Sequence, residues 1–287
     1  MKISALALLL LFGSSFAHTA DTDQKRKPSE ATAGAKKGNI AYATVPFDVS
    51  VEKLPASYQG HSILDILKKL SPLRPKGEFE KSEEYESRLT HWKETPFLGN
   101  LVPTDVLAFE ISGFLAPDAL SVKYDADREE MTATISFENQ YFDSGTARWL
   151  ETFYQSKNLG SHIGTTRMGI KFRITSHVGT SVGLGVKEQI QSIKISKQLP
   201  RDEALSIKIK SNIKAYAITK LSDPYKVNES TTSTASLDSP SEWLNNYLGL
   251  WVNLKAIWLV NEKTGEIIAK EEVPFSRCSY DICLRGQ

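Results

Sequence analysis

The stretch Gly179-Thr180-Ser181-Val182-Gly183 matches G-x-S-x-G, the sharp turn that exposes a nucleophilic serine in esterase-like hydrolases. That chemistry needs a strand before the serine, a helix after it, and an acid and a histidine to manage the hydroxyl proton. The five histidines, His18, His61, His91, His162 and His177, all precede Ser181, so the chain order serine, acid, histidine cannot be completed. His177 is the candidate base in any other order, and Ser181 with His177 defines the alternative function, an esterase-like hydrolase. Gly179, Gly183 and Gly185 read instead as a flexible loop between strands, and no catalytic residue is assigned.

Other reactive patterns are sparse. The histidines stand singly, there is no H-E-x-x-H, and residues 179 to 185 lack the Lys-Ser/Thr ending of a phosphate-binding loop, so no metal and no cofactor is expected. Asp125, Asp127 and Glu129 cluster, but no glycine or distal glutamate stands where a calcium loop needs it, and a solvated turn is expected there. The two cysteines, Cys278 and Cys283, lie close together near the end of the chain and predict a local disulfide in an oxidising compartment. Two basic rows complete the inventory. Arg167, Lys171 and Arg173 alternate with Met168, Ile170, Phe172 and Ile174, and Lys208, Lys210 and Lys214 alternate with Leu205, Ile207, Ile209 and Ile213. Side by side, the rows form a cationic surface for an anionic partner such as lipid head groups or glycan phosphates. Apart, they are solvated lysines that protect sheet edges from aggregation.

Period-two alternation in these rows indicates antiparallel strands with one wet face. The same pattern marks 45–51, limited by Pro46, and 107–111, and it marks a hairpin in which Leu120, Val122 and Tyr124 face Met131, Ala133 and Ile135. A further hairpin turns at Asn261 to Glu266, after Trp243, Tyr247, Trp251 and Trp258, which are read as core aromatics. Helical spacing occurs twice. Ser62 caps Ile63, Ile66, Leu67 and Leu70, with Asp65 in the capping-box position. Ser82 caps a second helix in which Tyr85, Leu89 and Trp92 form an apolar stripe and Glu84 pairs with Arg88. The expected fold is therefore α+β, a predominantly antiparallel sheet with two short N-terminal helices packed on it.

The second helix and its approach also carry a resemblance. Gly77-Glu78-Phe79-Glu80, followed by Glu84-Tyr85 and Arg88, resembles a motif, EFE then EY then R, of uncharacterised exported bacterial proteins. The resemblance implies an exported, envelope-associated protein and supplies no catalytic residues, because no activity is established for those proteins.

Length and composition agree with a folded body: 287 residues at 40% hydrophobic and 24% charged bury a substantial core. The start reads as a signal peptide, with Lys2 as the basic region, an apolar stretch from Ala5 to Phe12 and small residues for cleavage after Ala17 or Ala20. About ten apolar residues are too few to span a bilayer, so no transmembrane anchor is expected after cleavage. The expected organisation is a signal peptide at 1–17, a disordered linker at 18–39, the main body at 40–221, a Ser/Thr-rich loop at 222–241, and a C-terminal hairpin segment at 242–287 packed on the main body. A net charge of +1, carried by the leader and linker, argues against nucleic acid as a partner. These readings converge on a periplasmic or secreted, non-enzymatic binding or interaction module whose partner is a protein or an anionic envelope component.

Overall fold

Residues with two-residue periodicity dominate the chain, and the computed structural model of the protein is accordingly β-rich, with 55% strand and, among the described residues, three helices. It describes residues 42–55, 57–71, 73–111, 118–143, 145–207 and 212–273. The expected signal peptide, the linker and the Cys278–Cys283 pair lie outside the described residues.

In chain order the elements are α1 (Ile63–Lys69), α2 (Ser82–Glu94), β1 (Val106–Ile111), β2 (Leu120–Asp125), β3 (Glu130–Ser136), β4 (Glu138–Phe142), β5 (Gly145–Thr165), β6 (Lys171–Val186), β7 (Ser192–Gln198), α3 (Arg201–Ile207), β8 (Ile213–Ser233), β9 (Ser241–Asn261) and β10 (Ile267–Glu272). The large sheet has the order β1-β8-β9-β6-β5-β4, with β10 also paired to β9, and β2-β3-β7 form a second, three-stranded sheet. The large sheet is mixed rather than purely antiparallel, since β6 and β9 run parallel from Thr175 beside Ser241 to Val186 beside Val252. The cause is topological: after β6 the chain leaves for β7 and α3, and returns as the β8–β9 hairpin, whose second strand lands beside β6 in the same direction.

One face of the large sheet carries the main core. Leu107, Phe109, Leu150, Leu184, Leu250 and Leu259 from that sheet meet Met131, Ala133, Ile135 and Ile195 from the small sheet, with Ile63, Ile66 and Leu70 beside α1 and Ala204 and Ile207 from α3. The opposite face holds two smaller clusters, one around Phe47, Tyr216 and Trp258 and one around Phe142, Trp149 and Trp251. Pairing steps from Ile218 beside Ala256 to Thr219 beside Leu254, so Lys255 is an extra residue in β9. That bulge inverts the alternation, which is why Trp251 and Trp258, an odd and an even position, reach the same side of the sheet.

Ser62 Oγ accepts the Asp65 amide at 3.1 Å, the cap expected for α1. Lys226 Nζ donates to the Leu67 carbonyl at the other end of the helix, at 2.7 Å, where the dipole favours a cation. Helix α2 differs from expectation. It buries no residue, and it is tied to the rest by Trp92, whose indole N–H donates to the Ser71 carbonyl and whose ring lies 4.7 Å from that of Tyr225. Lys81, not Ser82, occupies its N-cap, and Glu84 accepts the Lys81 amide instead of pairing with Arg88.

Three other expectations are corrected. Residues 45–51 form no strand: Phe47 is buried, Val45 and Val49 are exposed, and only the Phe47 amide reaches the sheet edge, at the Val106 carbonyl. The stretch from Leu205 begins as helix α3, because Ala204 and Ile207, three apart, are the pair that packs inward while Leu205 is exposed. The Ser/Thr-rich stretch 222–241 is mostly strand, since β8 runs to Ser233 and β9 starts at Ser241. Its polarity reflects an exposed outer half of the sheet rather than a loop.

Candidate functional site

The β5–β6 hairpin is longer than the sheet that supports it. Strand β6 has β9 as a neighbour only from Thr175 onward, and β4 pairs with β5 only as far as Trp149. Residues 161 to 174 therefore project as a two-stranded arm, roughly 15 Å beyond the last β9 partner at about 3.3 Å per residue. Its turn is closed by the Gly169 amide on the Thr166 carbonyl and by the Ile170 amide on Thr166 Oγ1, with Gly169 at φ 82° supplying the left-handed position.

The arm and its root carry Lys157, Arg167, Lys171 and Arg173, and the sequence from 157 to 175 contains no Asp or Glu. All four cations are exposed, and none forms an ion pair with any described carboxylate. The first basic row of the sequence is thus placed together and free. Apolar side chains accompany it: Met168 is 88% exposed, Ile163 60%, Leu159 59% and Ile170 48%, values that mark a contact surface rather than core. Glu242 stands at the arm's root, where it accepts from Ser176 Oγ at 2.5 Å and lies 4.0 Å from His162 Nδ1.

Of the second basic row, Lys214 does not join the first. Lys214 sits opposite Val260 of β9, whereas the arm leaves the sheet at Ser241, roughly 60 Å away along the strand. Nor is Lys214 free: its Nζ lies 3.0 Å from Glu110 Oε1 and 2.8 Å from Glu262 Oε1, with the lysine side chain only 13% exposed. Burial works against the ammonium, but Glu262 and Glu110 outweigh it and hold its pKa above the ordinary lysine value. Lys214 is therefore no part of the arm's cationic surface, and Lys208 and Lys210 lie outside the described residues.

Ser181 stands in the middle of β6, not in a strand-to-helix turn, so Gly179–Gly185 is strand where a loop was expected. Its hydroxyl accepts the Trp149 indole N–H at 2.8 Å and donates to Glu151 Oε1 at 2.6 Å. His177 lies four residues along the strand, roughly 13 Å away, and stacks on Trp243 with ring centroids 4.3 Å apart. The glycines of the G-x-S-x-G string have a packing cause. A Cβ on Gly183 would lie 2.8 Å from the Trp149 indole and collide with the Leu150 carbonyl, and one on Gly249, its neighbour across β9, would meet the same indole at 2.5 Å. Burial raises the Glu151 pKa, opposed by the Ser181 hydrogen bond.

A cleft of about 380 Å³ opens beside α1, lined by Phe109, Phe153, Val182 and His61 among others. His61 is fully engaged: Nδ1 accepts the Ala108 amide at 3.0 Å and Nε2 donates to the Val45 carbonyl at 2.9 Å, so the imidazole is neutral and burial lowers its pKa. Among the described residues no three His, Cys, Asp or Glu side chains converge as a metal-binding group, and no helix is long and apolar enough to cross a membrane.

Sequence reasoning missed Glu151, Trp149 and the exposed apolar tip of the arm. A signal for the last was present in Met168 and Ile170 flanking Gly169, a hydrophobic pair around a turn residue. No known protein family, curated protein or solved structure matches the chain.

Proposed function

We propose that the chain is an exported, non-enzymatic binding module that engages an anionic component of the cell envelope through the β5–β6 arm. The carrying observation is the set of three exposed cations, Arg167, Lys171 and Arg173, on a projection whose own sequence has no carboxylate, with exposed Lys157 at its root. A positive projection of this kind attracts an anionic surface over a Debye length, about 8 Å at physiological salt, and so gives binding that salt weakens. Export is supported by the leader-like start of the chain and by the resemblance carried by Glu80, Glu84 and Arg88.

The test is retention of the mature protein on isolated envelopes of its native cell at increasing salt. Retention that falls with salt, and that is abolished by Arg167→Glu, Lys171→Glu and Arg173→Glu together, is the expected result. A triple variant that is folded and retained as well as the native protein removes this reading.

A further inference from the structure

We propose that the arm tip is a membrane-interface anchor, seating Met168 and Ile170 among the head groups of an anionic phospholipid bilayer while the cations beside them pair with lipid phosphates. This rests on the anionic-partner reading above and names the partner.

Two independent features of the tip select a bilayer over a soluble anion. The first is the exposed apolar set. Met168 and Ile170 flank the turn, and Ile163 stands directly opposite Arg173 in the ladder, so greasy and cationic side chains share one end of the projection. A soluble polyanion gains nothing from the first kind of group, whereas an interface of head groups over acyl chains takes both. The second is the backbone. Thr166 donates its amide to the Ile170 carbonyl, accepts the Ile170 amide at its hydroxyl and accepts the Gly169 amide at its carbonyl, so the tip enters with few unpaired polar groups. Arg167, Lys171 and Arg173 lie within a few residues of Met168 and extend their heads to the phosphates while their stems cover apolar surface.

Pairing of the free β5 edge with a second copy of the chain is the competing occupant, and the structure disfavours it. The ladder slips between Asn158 and Gly160, with Gly160 at φ 107°, which breaks the edge where a partner strand would lie.

The experiment is co-sedimentation of the mature full-length chain with vesicles of phosphatidylcholine alone and of phosphatidylcholine with 30% phosphatidylglycerol, with light scattering of the protein in solution. The expected result is partition onto the anionic vesicles only, by a monomer. Arg167→Gln, Lys171→Gln and Arg173→Gln together should weaken it roughly 100-fold, about fivefold per charge near the surface. Met168→Ser with Ile170→Ser should weaken it roughly tenfold with the charge unchanged. Both variants are at exposed positions, and circular dichroism confirms their folding. Partition that survives the serine substitutions, or a dimer that dissociates on mutating Leu159, overturns the anchor. Salt-sensitive retention on native envelopes without binding to anionic vesicles overturns the lipid assignment and leaves the anionic-partner reading standing, whereas loss of both sinks both.

Discussion

Replacing Ser181 by alanine removes one hydroxyl that serves buried Trp149 and half-buried Glu151. Trp149 is fully buried, and Ser181 Oγ is the acceptor of its indole N–H at 2.8 Å. Left without an acceptor, that N–H costs about 1–3 kcal/mol, and the hydroxyl's own donation to the Glu151 carboxylate is worth a further kcal/mol or so. We expect Ser181→Ala to lose about 2–4 kcal/mol, which corresponds to a fall in Tm of roughly 5–15 °C for a chain of this size. Urea unfolding followed by tryptophan fluorescence should show a lower midpoint with an unchanged slope. Glu151→Gln is the companion. Because burial raises the Glu151 pKa, its favourable contribution is fully present below the ordinary glutamate pKa and is lost as pH rises through the folded value, so the charge opposes folding at pH 7. Glutamine keeps the acceptor and removes the charge, and is expected to be neutral or stabilising at pH 7. A Ser181→Ala protein within about 0.5 kcal/mol of the native one refutes the structural role of this hydroxyl, since surface changes alone reach that size.

Other expectations follow from the same geometry. Gly183→Ala drives a methyl into the Leu150 carbonyl and the Trp149 indole and should cost about 1–3 kcal/mol, of which adding Trp149→Leu relieves only the indole's share; a Gly183→Ala protein as stable as the native one would show that neither neighbour excludes the side chain. Lys214→Ala leaves Glu110 and Glu262 facing each other without a cation and should cost about 2–4 kcal/mol, partly restored by adding Glu110→Gln, while leaving envelope retention unchanged. His61 is held neutral by burial, so the fold binds its proton less readily than the unfolded chain does, and its contribution is complete above the unfolded pKa of about 6.5 and shrinks as pH falls. The stability difference between the native chain and His61→Gln should therefore narrow below pH 6.5 by up to about 1.4 kcal/mol per pH unit, and a difference that stays constant from pH 7.5 to 5.5 contradicts it.

What the sequence disclosed depended on whether burial enforced the alternation. The β2–β3 hairpin was legible because Leu120 faces Ile135 and Tyr124 faces Met131 without a slip, across a polar turn. Strand β5 was not, because its register shifts around Thr152 and again around Leu159, and its outer half is wet on both faces, so no period survives. The outer half of β8 was hidden in the same way, with Ser and Thr standing where a buried strand would carry Val and Ile. Strand and helix were confused at 205–207 because Leu205 and Ile207 fit a period of two and only the packing of Ala204 with Ile207 chooses the helix. For the candidate site, the cations of the arm were legible as a row, but their isolation from Lys214 was not, since it depends on where β9 lands. The partners that occupy Lys214 come from the end of β1 and the turn before β10, a proximity that only the β1-β8-β9 order creates.

The EFE…EY…R spacing now has a physical reading. Glu80 receives Arg88 through both oxygens, from Nε at 2.9 Å and Nη2 at 2.8 Å, and also takes the Gly77 amide at 2.9 Å. Arg88 Nη1 turns back to the Arg74 carbonyl at 2.8 Å, its guanidinium lies 5.1 Å from the centre of the Tyr85 ring, and Glu84 caps the helix at Lys81. The last Glu of the first group, both residues of the second, and the Arg thus fasten the 74–80 approach to α2. The hydrogen bonds from Arg88 and Gly77 hold the Glu80 pKa down to about 2, so the clamp persists through mild acid. A bidentate arginine fork is a geometric requirement that lysine cannot meet. Glu78 and Phe79 stand outside the clamp, and Phe79 is 94% exposed. The motif therefore specifies how a helix that buries nothing is held in place, and any binding role near it falls to Phe79, the one motif aromatic that the clamp leaves in water.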